Sequence, residues 1–158
     1  MTRYILDGKR MQDREGMHDA LQSTLPLPSY YGRNLDALHD ALSEGSQPFE
    51  ILFLNPECMP QPLFPSLAAV LLDICRENPN AVLSLASDAL VPGLYRHFKG
   101  REYRLLHIAL HSETLEPMVV YQAEYGSRGI WVRPACMWSE RLTRDGRDIP
   151  RFARIDGE

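Results

Sequence analysis

A small parallel three-stranded α/β sheet with flanking helices, followed by a small antiparallel β barrel-like domain, is the architecture this 158-residue chain predicts. Three observations carry it. Apolar runs of strand length alternate with apolar stripes of helical period as far as Ala86. A short stretch with Pro and Gly, Ser87 to Gly93 (SDALVPG), then interrupts the pattern. Beyond it come short strand-like runs punctuated by glycine turns, with no helix of useful length. The expected domains are residues 1–88 and 94–158.

Tyr4-Ile5-Leu6 reads as a short strand ended by the Asp7-Gly8 turn. Glu15 to Leu25 is helical, with Met17, Ala20, Leu21 and Leu25 on one stripe. Asn34 to Leu42 is the second helix, with Leu35, Leu38 and Leu42 facing a core. Phe49 to Leu54 (FEILFL) reads as a continuous apolar run, the pattern of a strand buried on both faces. Asn55 to Pro65 holds four prolines and reads as a loop. Ser66 to Asn78 is the strongest helix, aligning Leu67, Val70, Leu71, Ile74 and Cys75 until Pro79 stops it. Ala81 to Ala86 is the third strand. In the remainder Tyr103–His111, Pro117–Tyr125, Gly129–Arg133 and Met137–Leu142 are strand-like, and Arg151–Ile155 is a closing strand.

Apolar content of 44% is that of a globular protein. No apolar run nears 18 residues, so no membrane partner is expected, and the polar N-terminus lacks a signal core, so a cytoplasmic location is expected. Cys58, Cys75 and Cys136 lack metal-type spacing and read as reduced thiols. The net charge of −4 is unevenly spread. Residues through Leu90 carry 6 Lys/Arg against 12 Asp/Glu, and the rest carry 11 against 9. An acidic first part suits a basic partner and disfavours direct binding of nucleic acid there, while the second part leaves that open.

The segment Tyr30 to Asp40, YYGRNLDALHD, is the densest in information. Tyr30, Tyr31 and Gly32 form an aromatic turn, and Asn34 can cap the following helix through its side-chain oxygen. With the leucines inward, Asp36, His39 and Asp40 fall on the opposite face. Asp36 and Asp40 are four apart, so their charges oppose one another and a cationic partner relieves them.

This segment, with the opening strand and turn, the first helix and the later helix ending at Arg76-Glu77, resembles the barstar family of protein inhibitors of barnase-type ribonucleases, over about residues 3 to 88. The resemblance implies an inhibitor whose acidic helix and preceding loop plug the basic active site of an RNA-cleaving enzyme. The matching partner-binding positions are Tyr30, Gly32, Asn34, Asp36, Asp40 and Glu77, with His39 between the aspartates. Asp40 would mimic a phosphate, Asp36 would meet the rim, and Tyr30 would add rigid apolar area. Two positions depart from the family. His39 stands where a large aromatic is usual, and Arg33 where an acid is frequent, reversing a charge inside the segment. His39 reads as a tolerated surface substitution or a pH-sensitive contact, and Glu77 as a peripheral contact or a solvated helix end.

The run YRHFKGREYRLLHIALHSETLEPMVVYQAEYGSRGIWVRP, with its PRF tail, resembles a small bacterial domain family without assigned chemistry. His97, His107, His111, Glu113 and Cys136 suggest a metal site, yet the second sulfur of a zinc deaminase signature is missing, and His107 and His111 on one strand face would stand about 13 Å apart. No metal or other cofactor is expected. Tyr95, Arg96, Phe98, Lys99, Arg101, Tyr121, Tyr125, Trp131 and Arg133 either line a stacking groove for single-stranded nucleic acid or peptide, or fill a barrel, with Trp131 assigned to its core. Two alternatives to the inhibitor stand beside it. One is an adaptor holding another basic protein, with the β domain as a second binding module; the other is an enzyme built on the His/Glu residues of the β domain.

Overall fold

The computed structural model describes residues 1–155. The chain forms two compact units. The first is Met1–Ala86 with Glu113–Leu115, and the second is Ser87–Ser112 with the described residues from Glu116 onward.

The first unit runs β1 (Thr2–Asp7), α1 (Arg14–Thr24), α2 (Leu35–Ser43), β2 (Phe49–Leu54), α3 (Leu63–Glu77) and β3 (Ala81–Ala86). The strands pair in parallel in the order β1-β2-β3, so each connection crosses over through helices. The central strand β2 buries Ile51 and Phe53 against a core of Leu6, Met17, Leu21, Leu38, Phe64, Leu67, Leu71 and Ile74. Its other face is less apolar than FEILFL suggests. There the buried Glu50 accepts from Arg3 Nε of β1 at 2.6 Å and from Ser84 Oγ of β3 at 2.7 Å, tying three strands with one carboxylate. Those donors hold its carboxyl below the usual range.

Helix α3 begins at Leu63, not at Ser66 as the four prolines suggest. Pro65 is the third helical residue, where a missing N–H breaks no intrahelical bond. The early start adds the fully buried Phe64, which meets Phe53 edge to face at 5.3 Å. Pro56–Cys58 forms a single 3-10 turn.

The second unit contains β4 (Gly93–His97), β5 (Glu102–Leu110), β6 (Pro117–Ala123), β7 (Ile130–Pro134), a short helix α4 (Ala135–Trp138), β8 (Arg141–Arg144), β9 (Arg147–Pro150) and β10 (Phe152–Arg154). Its antiparallel sheet has the order β10-β4-β5-β6-β7, and β8 and β9 make a separate hairpin. The sheet does not close. Among the described residues no ladder joins β10 to β7, so the expected barrel is an open sheet. After Pro134 the chain turns into α4, and Trp138 packs on the face that opposite strands of a barrel would fill. Its indole stacks on Phe152 at 3.8 Å and meets Tyr95 and Tyr121. The strand expected over Met137–Leu142 is therefore the end of α4 followed by β8. The core tryptophan is Trp138, 2% exposed, and not Trp131, which lies on the edge strand β7 at 60% exposure. Alternation alone could not tell an edge strand from a central one.

Candidate protein-binding site

Helix α2 is fixed at both ends and along its inner face. Asn34 stands at the N-cap in extended conformation, and its Oδ1 accepts from Ala37 N at 2.8 Å. At the other end the buried Asn78 donates from Nδ2 to Leu42 O at 3.1 Å, joining the end of α3 to that of α2. Leu38 and Leu42 are buried, while Leu35 is only half-buried. Asn34→Ala should lower stability by about 1 kcal/mol, because a backbone donor of the first turn loses its acceptor. Urea denaturation would read this as a lower midpoint at an unchanged slope.

The loop before α2 separates its two tyrosines. Tyr31 points inward, 7% exposed, with its hydroxyl 2.8 Å from Nδ1 of the buried His18 on α1. Tyr30 points outward at 86% exposure. Gly32 lets the loop close on the cap, since a Cβ there would stand 3.0 Å from Asn34 Nδ2, which itself donates to Gly32 O. Arg33 adopts left-handed backbone (φ 53°), and its guanidinium folds back on α1. It donates to Asp19 Oδ1 at 2.8 Å, to Gln22 Oε1 at 2.9 Å and to Glu15 O at 3.3 Å. The charge reversal at this position is therefore partnered within the molecule.

On the outer face His39 is no bland surface residue. It is half-buried, with Nε2 3.0 Å from Glu77 Oε2 and Nδ1 3.7 Å from Asp40 Oδ1. It links α2 to α3 and brings Glu77 into the same acidic surface as Asp40. Tyr30, Gly32 and Asp40, with Pro28, Tyr31, Ala37 and Ala41, line one concavity of about 210 Å³. Asn34 and Asp36 line another of about 340 Å³ with Arg14, His18 and Leu63. Asp36 is exposed in the first turn of α2, where the helix dipole favours its charge. Five of the expected positions thus fall in two groups built on the loop and α2, while His39 and Glu77 meet beside Asp40. Among the described residues no three His, Cys, Asp or Glu side chains are grouped to hold a metal ion, and no helix is long and apolar enough to cross a membrane.

His18 and Asp19 were missed in the sequence, although His18 lies three residues before Leu21 and seven before Leu25, on the buried side of α1. Burial pushes the His18 pKa below its usual 6.5, and the Arg14 and Arg33 charges push it further, against an opposing contribution from Asp19. The unfolded chain therefore takes up this proton first. The stability that neutral His18 contributes is complete above about pH 6.5 and is lost as pH falls through the window between that value and the folded-state pKa. Thermal melts across this window should show a smaller decline for His18→Gln than for wild type. Part of the decline should persist, since His97 in the second unit is also held low by burial and by Arg151, Arg133 and Lys99.

A three-stranded parallel sheet with helices, one of them turning an acidic face outward behind an aromatic loop, defines a small α/β domain. Residues 1–89 match the model of the family described as "Barstar (barnase inhibitor)", and the chain belongs to that family. Residues 93–154 match a second model, "Protein of unknown function (DUF1653)". Over 43 residues the chain is 49% identical to a Bacillus subtilis (strain 168) protein named "Putative ribonuclease inhibitor YrdF". The aligned stretch covers 27% of this chain and 47% of that relative, so the chain spans about half the length of the curated relative it matches. A crystal structure of a DUF1653 protein from Bordetella bronchiseptica is similar at 36% identity, covering 43% of this chain and 94% of the other, with a TM-score of 0.38.

Proposed function

We propose that the first unit binds the active site of a basic RNA-cleaving enzyme of the barnase type and blocks it, acting in the cytoplasm without catalysis or cofactor. The observation that carries this is the joining of Asp40 and Glu77 on one exposed acidic surface by His39, beside the exposed Tyr30, in a chain of this family. A ribonuclease pocket presents Arg, Lys and His to a scissile phosphate. A carboxylate at position 40 offers those donors charge-assisted, bidentate acceptors in place of the phosphate. Tyr30 contributes apolar area with few rotamers to lose, and Glu77 at the rim steers approach. The name of the Bacillus subtilis relative supports the ribonuclease as partner class. The adaptor alternative draws on Arg33 and His39; both are engaged inside the molecule, which supports the inhibitor reading over it. The test is calorimetric titration of the chain into a barnase-type ribonuclease, with RNA cleavage followed in parallel at low and moderate salt. Tight, salt-sensitive binding with loss of cleavage is expected. A complex indifferent to salt, or one that leaves cleavage intact, would sink the reading.

A further inference from the structure

Nine of the second unit's cations fall into two groups by their partners. Arg96, Arg104, Arg128, Arg141 and Arg151 each pair with a carboxylate, at 2.7–3.4 Å. Lys99, Arg101, Arg133 and Arg144 have no carboxylate partner among the described residues, and each lies over an aromatic ring instead. Lys99 and Arg144 stand 5.8 and 5.5 Å from the Phe98 ring centre, Arg101 lies 4.3 Å from that of Tyr125, and Arg133 lies 5.5 Å from that of Phe152. The rings form one connected series. Tyr125 meets Tyr103 edge to face at 5.5 Å, Tyr103 meets His97 at 6.5 Å, and His97 meets Phe98 at 4.5 Å. The end of the series is pinned by a hydrogen bond of 2.8 Å between the two tyrosine hydroxyls. Burial and that bond push Tyr103 up to about 12, whereas the bonds to Tyr103 and Arg101 hold Tyr125 below its usual value. Tyr125 is exposed, and Tyr103, His97 and Phe98 are half-buried.

A ring face attracts a cation without using its N–H groups, while a carboxylate occupies them. Lys99, Arg133 and Arg144 held in this way keep donors for an outside anion next to flat surfaces, and Arg101, with five N–H groups, keeps others beyond the one it gives to the Tyr125 hydroxyl. We propose that this series is a binding face for single-stranded nucleic acid, with Tyr125, Tyr103 and Phe98 stacking on bases and Lys99, Arg101, Arg133 and Arg144 contacting phosphates. Unpaired bases have free π-faces and the backbone carries one charge per nucleotide, which matches the alternation of rings and cations. In a duplex the base faces are already stacked and the rings find no partner. An acidic peptide uses the cations and leaves the rings idle. The inference stands apart from the inhibitor reading, since every residue it uses lies in the second unit.

Fluorescence anisotropy on the full chain tests it, with labelled single-stranded oligouridylate, oligodeoxythymidylate, duplex RNA and polyglutamate as probes. Both single strands should bind, and a gap between them would report a contact to the ribose hydroxyl. Duplex and polyglutamate should bind at least about tenfold more weakly. Tyr125→Ala should weaken binding at least about fivefold in a chain that stays folded at the assay temperature, as its circular dichroism would show. Affinity should fall with salt at a log–log slope near −3, four contacts at about −0.7 each, and Arg101→Ala or Arg133→Ala should each remove about one contact's share. Arg141→Ala, which breaks a carboxylate pair elsewhere, should leave binding as it was. No binding at about 100 µM, equal binding of polyglutamate, or indifference to Tyr125→Ala would overturn the proposal.

Discussion

Asp40→Ala should cost about 2–5 kcal/mol of binding to the ribonuclease, a loss of roughly thirtyfold to several thousandfold, while the melting temperature stays where it is. The two halves of this expectation have separate causes. The Asp40 side chain is 86% exposed, and its ion-pair-range contact with His39, at 3.7 Å, is the longer of the two that His39 makes among the described residues. Removing it therefore changes stability by no more than a surface substitution does, about 0.5 kcal/mol either way. In the complex the same carboxylate would be desolvated among fixed cations. Its removal leaves those cations buried and unmatched, which is why truncating one side of such a pair costs more than the pair contributes. Calorimetric titration of the variant beside a thermal melt gives both numbers. Unchanged affinity would show that the acidic surface is not the plug.

Leu38→Ala should do the reverse. Leu38 sits in the same two turns of α2 as Asp40, wholly buried against the core shared with α3. Losing its side chain forfeits the transfer free energy and leaves a cavity, together about 2–5 kcal/mol. The denaturation midpoint should fall sharply. Affinity at temperatures where the variant is still folded should fall much less than in Asp40→Ala, because the outward residues keep their cap at Asn34 and their tether at Asn78. If Leu38→Ala leaves the midpoint unchanged, α2 is not held by its leucine face. Measured together, the two variants separate the face that holds the helix from the face that would meet a partner.

The parallel unit was legible because its signals are local and redundant. Each helix has a periodic stripe, a cap or a proline stop, and the β2 and β3 strands match their apolar runs residue for residue. Misjudged features lie where a rule has a positional exception. Pro65 breaks nothing because it falls in the first turn of α3. The second unit was harder because period-two patterns do not say which strand ends a sheet. Trp131 and Trp138 are equally apolar, and only the order of strands puts one at the rim, while the turn into α4 after Pro134 puts the other in the core. In the candidate site the outward acids could be read from helical phase alone. The supports behind them could not, since His18 to Tyr31, Arg33 to Asp19 and His39 to Glu77 span 13 to 38 positions and exist only once three helices are packed.

The folded-back Arg33 changes what a charge count at this loop means. A tally of the segment credits it with a cation, yet the guanidinium settles its account with Asp19 on a different helix. A visitor arriving at the loop would meet a local dipole rather than a monopole, and a dipole's field fades much faster with distance. Opposite charges at positions 19 and 33 can therefore be acquired or discarded together while the long-range field of the acidic face stays nearly constant. The loop has a neutral route for sequence drift. A chain with the pair and a chain without it would present the same net charge at the loop, and a count that takes in the loop without α1 would tell them apart wrongly.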